Sequence, residues 1–324
     1  MSDLLVIGDE GLWRCGERAG AWSAELIRRT AIAQCVAVDP VDRRTVYLGT
    51  RGEGLWRSAD AGRSWSRLAL PASEVFALAV SVADGTVYAG CEPSRLFASG
   101  DAGEHWHELD ALTRLPSAPT WSFPPRPWTS HVSAIAPHPR RAAVLLVGIE
   151  LGGVMLSEDG GETWLDHRPG AQRDVHALAW HPRGDDRAYQ AAGGGAARSV
   201  DRGRTWLSAD AGRDRDYCWA LAIDESEVET WFVSASTGPR AAHGAHRADA
   251  CIYRWRGDGP WETLTGGLPR PLDDMPYALV VHRGRLFVGL RSGEIFASSD
   301  HGQQWRQQRF AGAPPAGLRT LIPG

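Results

Sequence analysis

Imidazoles, carboxylates and phenols recur at matching places in this sequence, and their types suit acid–base chemistry. His131, His176, Glu150, Tyr217 and Tyr277 form the candidate catalytic set. An imidazole exchanges its proton near neutral pH, a carboxyl can be tuned to hold one, and a phenol can pass one on. Arg51, Glu53, Glu92, Asp174, Trp219, Arg291, Trp121, Trp128, His243 and His246 are the candidate ligand-binding residues. An arginine there can grip a carboxylate through two parallel hydrogen bonds. Such a set suits a hydrolase or lyase acting on an acidic sugar. Read singly, each histidine is better taken as a satisfied polar residue at a wet pore mouth. Read together, the residues describe a site for a small polar or acidic ligand, a saccharide among them.

These residues come from aligned strands. The short apolar runs that contain Ala-Leu or Ala-Ile pairs compare with one another along the chain. Two residues before the apolar member lie Gln34, Phe76, Ser133, His176, Trp219, Tyr277 and Arg319, and two earlier lie Ile32, Glu74, His131, Asp174, Tyr217 and Met275. A strand that only packs begins with aliphatic residues. These begin with imidazoles, carboxylates, phenols and an indole. The loops after the next strand add Arg51 with Glu53, Glu92, Glu150, and Arg291 with Glu294.

The positioning elements repeat. Ser58–Trp65 (SADAGRSW), Ser99–Trp106 (SGDAGEHW), Ser157–Trp164 (SEDGGETW), Ser199–Trp206 (SVDRGRTW) and Ser298–Trp305 (SSDHGQQW) all fit Ser-x-Asp-x-Gly-x-x-Trp. In such a turn Asp accepts bonds from its own backbone and from Ser, Gly supplies positive φ, and Trp is buried at the start of the next strand. A catalytic Asp is not needed five times, so Asp60, Asp101, Asp159, Asp201 and Asp300 read as structural. Two decayed copies end at Trp261 (GDGPW) and Trp22 (CGERAGAW). Each copy but the one ending at Trp22, which lacks its innermost run, is preceded by three short runs rich in β-branched and aromatic residues, which makes a four-stranded blade.

The repeat resembles the Asp-box, or BNR repeat, of sialidases, sortilin-like receptors, xyloglucanases and photosystem II assembly-factor-like proteins. The resemblance covers nearly the whole chain and implies a β-propeller. The aromatic insertion together with RPGAQRDVHALAWHP and GRDRDYCWALAID is similar to bacterial proteins labelled glycosyl-hydrolase-like or exo-sialidase-like. Sialidase catalysis would need an arginine triad, a Tyr–Glu pair and usually six blades. This chain has seven repeats and no Arg-Ile-Pro motif near its start, and Arg51, Arg240 and Arg291 are its nearest equivalent of a triad.

The expected fold is therefore all-β: a seven-bladed propeller of four-stranded antiparallel blades, residues 1–324 forming one domain. Leu4–Gly8 reads as a second strand whose inner neighbour is missing, and Gly317–Ile322 (GLRTLI) can supply it, so strands from both termini close one blade and remove free edges. Two insertions, 110–130 and 234–250, fall in connections opposite the Asp-box turns, where long loops carry function. The first holds five prolines with Trp121, Phe123 and Trp128, and reads either as a platform or as a loop packed flat. In the second, His243, His246 and Asp249 are spaced three apart, so a helical turn would align them for a metal; the same stretch also reads as a solvated loop.

Composition removes other classes. The net charge is −4, so no basic field points to nucleic acid. All 35 basic residues are Arg, which excludes a Schiff-base lysine. The five cysteines are odd in number and follow no zinc spacing, which reads as free thiols. MSDLLVIGDEG lacks the basic and apolar regions of a signal peptide and no run is long enough to span a bilayer, so a cytoplasmic, non-membrane protein is expected. No cofactor is expected, with a metal open at the ring mouth or at His243, His246 and Asp249. A non-catalytic scaffold that binds a protein or saccharide through Trp121, Phe123 and Trp128 is the alternative.

Overall fold

The computed structural model describes residues 3–18, 21–123, 129–184, 186–244 and 246–324. The strands form the antiparallel blades of a seven-bladed β-propeller with almost no helix. Blade 1 runs Ala33–Val38, Val46–Thr50, Leu55–Ser58 and Ser66–Arg67; blade 2 runs Val75–Val80, Val87–Cys91, Leu96–Ser99 and His107–Glu108. Blade 3 has Val132–Pro137, Leu145–Ile149 and Gly153–Ser157, and a bridge from Leu156 to Leu165 stands in for its fourth strand. Blade 4 comprises Val175–Trp180, Ala188–Ala192, Gly195–Ser199 and Leu207–Ser208. Blade 5 comprises Tyr217–Ile223, Thr230–Ser236, Cys251–Arg256 and Glu262–Leu264, and blade 6 Ala278–His282, Arg285–Gly289, Ile295–Ser298 and Arg306–Gln307. Blade 7 joins the chain ends as expected: Thr320–Pro323 pairs with Leu4–Gly8, followed by Gly11–Arg18 and Ala21–Arg29. No described helix is long and apolar enough to cross a membrane.

By its internal contacts the chain divides into two compact units. A middle unit comprises Ile32–Gln190 and Arg198–Leu207, and a terminal unit comprises Met1–Ala31, Ala191–Ala197 and Ser208–Gly324.

The five turns share the same Ser–Asp–Gly hydrogen bonds, and in three of them the Trp indole also donates to the Gly carbonyl. In Ser157–Trp164 the Ser157 hydroxyl donates to Asp159 Oδ1 at 2.8 Å and accepts from Gly161 N at 2.8 Å. Asp159 Oδ1 also accepts from Thr163 N at 2.9 Å, and Trp164 Nε1 donates to Gly161 O at 3.1 Å. The side chains of the turn thus supply acceptors for its own N–H groups at Gly161 and Thr163. The residue before the glycine is also left-handed, with φ 63° at Ala61, 59° at Ala102 and 66° at Arg202. The decayed copies differ. Trp22 lies inside the long strand Ala21–Arg29, packed on Phe287 and Phe310. Trp261 Nε1 donates to Ala209 O, outside its own turn.

The glycine that ends several second strands explains how consecutive blades approach. A Cβ on Gly49 would lie 2.7 Å from Val75 Cγ1, one on Gly90 2.5 Å from Val132 Cγ1, and one on Gly148 2.4 Å from Val175 Cγ1. The first-strand valine of one blade fills the space where the glycine of the preceding blade has no side chain. The residues flanking that valine are thereby held against the residue two positions after the glycine.

The described residues of both insertions pack. In the first, Asp110–Arg114 and Ala118–Thr120 form 3-10 turns, and Leu112, Leu115 and Trp121 enter the core of the middle unit. Trp121 is therefore no exposed ligand anchor: it is 8% exposed and its Nε1 donates to Ser117 Oγ at 2.9 Å. Trp128 lies outside the described residues. In the second, a five-residue α-helix, Pro239–His243, forms, and Ala242, Ala248 and Ala250 are fully buried. The helix ends before His246 and Asp249, both of which have positive φ, so the three do not share a helical face.

Candidate functional site

In the middle unit the strand ends converge on a carboxyl pair. Glu150 follows Leu145–Ile149, and its backbone N–H donates to His131 O at 3.1 Å, which sets the two side chains beside each other. His131 Nε2 stands 3.9 Å from Glu150 Oε2. Asp174 and His176 flank Val175, and residues two apart on a strand face the same way. The Gly148–Val175 contact brings both against Glu150. His176 Nε2 is 3.7 Å from Asp174 Oδ2, and its side chain is 2% exposed. Glu150, Asp174 and His176 each place one ligand atom within 4.8 Å of the others.

Two carboxylates so close in a buried place cannot both stay charged. Burial, the charge of Asp174 and the hydrogen bond between the two push the Glu150 carboxyl up to about 8. A proton held on Glu150, or a divalent cation in its place, offsets the repulsion between the two. His131 is held by rings on two sides, Phe76 at 4.2 Å and Phe123 edge-on at 5.0 Å. Phe123 is thus a wall of this site.

The same rule of position places the other candidates of this unit. Arg51, two after Gly49, bridges to Glu74 and lies over the Phe76 ring at 5.3 Å. Glu92, two after Gly90, donates its N–H to Glu74 O. Glu53 is exposed, and its N–H donates to Thr50 Oγ1. Phe76, Ser133 and Gln34 sit where the first strands shift register, each as the extra residue of a β-bulge. A bulge turns its residue away from the regular alternation.

The terminal unit assembles a second group. Tyr217 opens Tyr217–Ile223, Trp219 sits in that strand's register shift, His243 ends the short helix, and Tyr277 precedes Ala278–His282. His243 Nε2 meets Tyr217 Oη at 2.9 Å, and its Nδ1 meets Tyr277 Oη at 2.8 Å. Tyr277 Oη donates to Ala242 O at 3.1 Å, and a carbonyl only accepts. This assigns the proton to Nδ1 and makes Nε2 the acceptor from Tyr217. Burial raises the Tyr277 hydroxyl above the usual phenol range, and the charge of Arg291 pulls it back. Arg291 donates to His243 O at 2.9 Å. His246 and Asp249 go elsewhere, to Asp274 and Arg215. The metal-ligand set expected at His243, His246 and Asp249 is not assembled.

The five candidate catalytic residues therefore divide: His131, Glu150 and His176 meet in the middle unit, and Tyr217 and Tyr277 meet around His243 in the terminal unit. The close partnership of Asp174 with Glu150 and the place of His243 between two phenols were not anticipated. The first had a signal, in Gly148 followed two residues later by Glu150, opposite a valine flanked by Asp174 and His176.

No family model matches the chain. A stretch of 39 residues is 51% identical to xyloglucanase Xgh74A of Acetivibrio thermocellus, covering 12% of this chain and 5% of that protein. Among solved structures, the chain is similar to an ancestral GH74 enzyme with TM-score 0.67 and 18% identity, over 86% of this chain and 38% of that one. It is similar to the GH74 enzyme of Niastella koreensis with TM-score 0.69 and 14% identity, over 94% of this chain and 52% of that one. The computationally designed protein Ika8 matches with TM-score 0.62 and 15% identity, over 98% of this chain and 90% of that one. The chain spans about half or less of these two GH74 enzymes. What these likenesses define is a class: a seven-bladed β-propeller with GH74 enzymes among its structural neighbours.

Proposed function

We propose that this chain is a saccharide-directed acid–base enzyme of the hydrolase or lyase kind, with Glu150 as the group that holds the working proton. One observation carries the reading: two carboxyl groups and a nearly fully buried imidazole placed within 4.8 Å of one another. A carboxyl that keeps its proton at neutral pH is suited to protonate a leaving oxygen. Asp174 keeps that proton on Glu150 until transfer, and His176 fixes the orientation of Asp174. In two-carboxylate glycoside hydrolysis the groups flank the bond about 5–10 Å apart. Glu150 and Asp174 are closer than this, so they act as one proton-holding centre on one side of the bond. The saccharide class is supported by the short stretch shared with a xyloglucanase and by the GH74 neighbours. The scaffold alternative has lost an anchor, since Trp121 is buried.

The test is turnover on xyloglucan, neutral β-glucans and uronate-containing oligosaccharides, followed by new reducing ends and by formation of unsaturated uronate. The expected kcat/KM falls as pH rises through about 8, and Glu150→Gln lowers it on the order of 100-fold or more. Wild-type turnover in Glu150→Gln, or no turnover on any of the panel, would sink the reading.

A further inference from the structure

The His243 and Tyr277 rings lie only 14° from parallel with centroids 5.9 Å apart, and the bond between Nδ1 and Oη joins them edge to edge. Two rings joined in this way make one nearly flat surface. Trp219 stands edge-on to both, 5.1 Å from His243 and 5.3 Å from Tyr277 at 79° to each. Tyr217 is perpendicular to His243 at 88°. His243 is exposed.

Arg291 stands at its rim. One guanidinium nitrogen is fixed on His243 O, and its backbone N–H donates to Met275 O, which holds the loop. Among the described residues no carboxylate pairs with Arg291, and the side chain is exposed. A tethered guanidinium with remaining N–H groups beside a flat, polar-edged surface asks for a planar anion attached to a ring.

We propose that the His243–Tyr277 plane and Arg291 form a binding site for a carboxylate-bearing sugar, the carboxylate on the guanidinium and the C–H face of the ring on the plane. The choice of a sugar rests on the function proposed above; the choice of an acid rests on Arg291. Nothing in this site uses Glu150, Asp174 or His176.

The experiment is isothermal titration of the intact chain with glucuronate and with glucose, which share a ring and differ in the carboxylate. A charge-assisted pair makes glucuronate bind at least about tenfold more tightly. Arg291→Gln brings glucuronate down to the level of glucose, and Arg291→Lys, which keeps the charge and loses the fork, falls between and serves if the glutamine variant does not fold. Glu150→Gln keeps the preference, so failure of the catalytic reading and failure of this one are read separately. Equal affinity for the two sugars, a preference that persists in both Arg291 variants, or binding of neither sugar overturns the proposal.

Discussion

Replacing Glu150 by glutamine removes one titration and leaves the shape of the site intact. The amide donates to Asp174 as the protonated carboxyl does, yet it cannot ionise. In the wild type the folded carboxyl is raised to about 8 from the ordinary glutamate range. Its contribution to stability is therefore complete below the unfolded value, near pH 4.3, and is lost as pH rises towards 8. At about 1.4 kcal/mol per pH unit the full loss approaches 5 kcal/mol, and rehydration of the newly charged pair reduces it to about 2–4 kcal/mol. A chain of 324 residues has an unfolding entropy of about 0.7 kcal/mol per kelvin. The glutamine variant should thus melt roughly 3–6 °C above the wild type at pH 9, with the gap closing to about 1 °C at pH 5. Thermal unfolding followed by circular dichroism, in chelator-treated buffers across that range, measures it. A gap that does not change with pH, or a variant less stable than the wild type throughout, refutes the shared proton.

Three further outcomes follow from the same geometry. Ser157→Ala leaves the N–H of Gly161 without its acceptor in a buried turn, which costs about 1–3 kcal/mol and lowers Tm by roughly 2–4 °C in a thermal melt. Gly148→Ala sets a Cβ 2.4 Å from Val175 Cγ1; by moving Asp174 away from Glu150 it should lower the Glu150 titration while burial still holds it raised, seen as a smaller pH-dependent melting gap. Chelation should leave turnover unchanged if the pair works by its proton, and activity lost with chelator and restored by a divalent ion would put a cation in the proton's place.

Much of the fold was legible because it is written in repeats. Each Ser-x-Asp-x-Gly-x-x-Trp carries its own hydrogen-bond partners, so the turn is specified locally and can be read locally. The closing of blade 7 was legible for a similar reason: Leu4–Gly8 is buried throughout, and such a strand demands a neighbour on each side. His138 and His181 were likewise readable as turn residues, since their Nδ1 atoms accept backbone N–H groups as Asp39 does. The site was half legible. Residue types at the strand mouths stood out, but strict alternation conceals bulges, and Phe76, Ser133 and Trp219 owe their orientation to bulges. Pairing between blades depends on where a missing Cβ admits a neighbour, so Glu150 against Asp174 emerges only when Gly148 and Val175 are taken together. The aromatic insertion misled because proline-rich, tryptophan-bearing loops look exposed; Trp121 is instead buried in one core cluster with Leu112, Leu115, Ile149 and Trp164.

The most direct test of the account is the titration of Glu150 itself. Carboxyl-labelled glutamate, observed by carbon NMR with Glu150→Gln to assign the signal, gives its midpoint in the metal-free protein. A midpoint near 8 is expected, with a smaller displacement in Asp174→Asn because burial remains while the neighbouring charge is gone. A midpoint in the ordinary glutamate range, near 4.3, would mean that the pair holds no proton at neutral pH, and the acid–base function would fall with it.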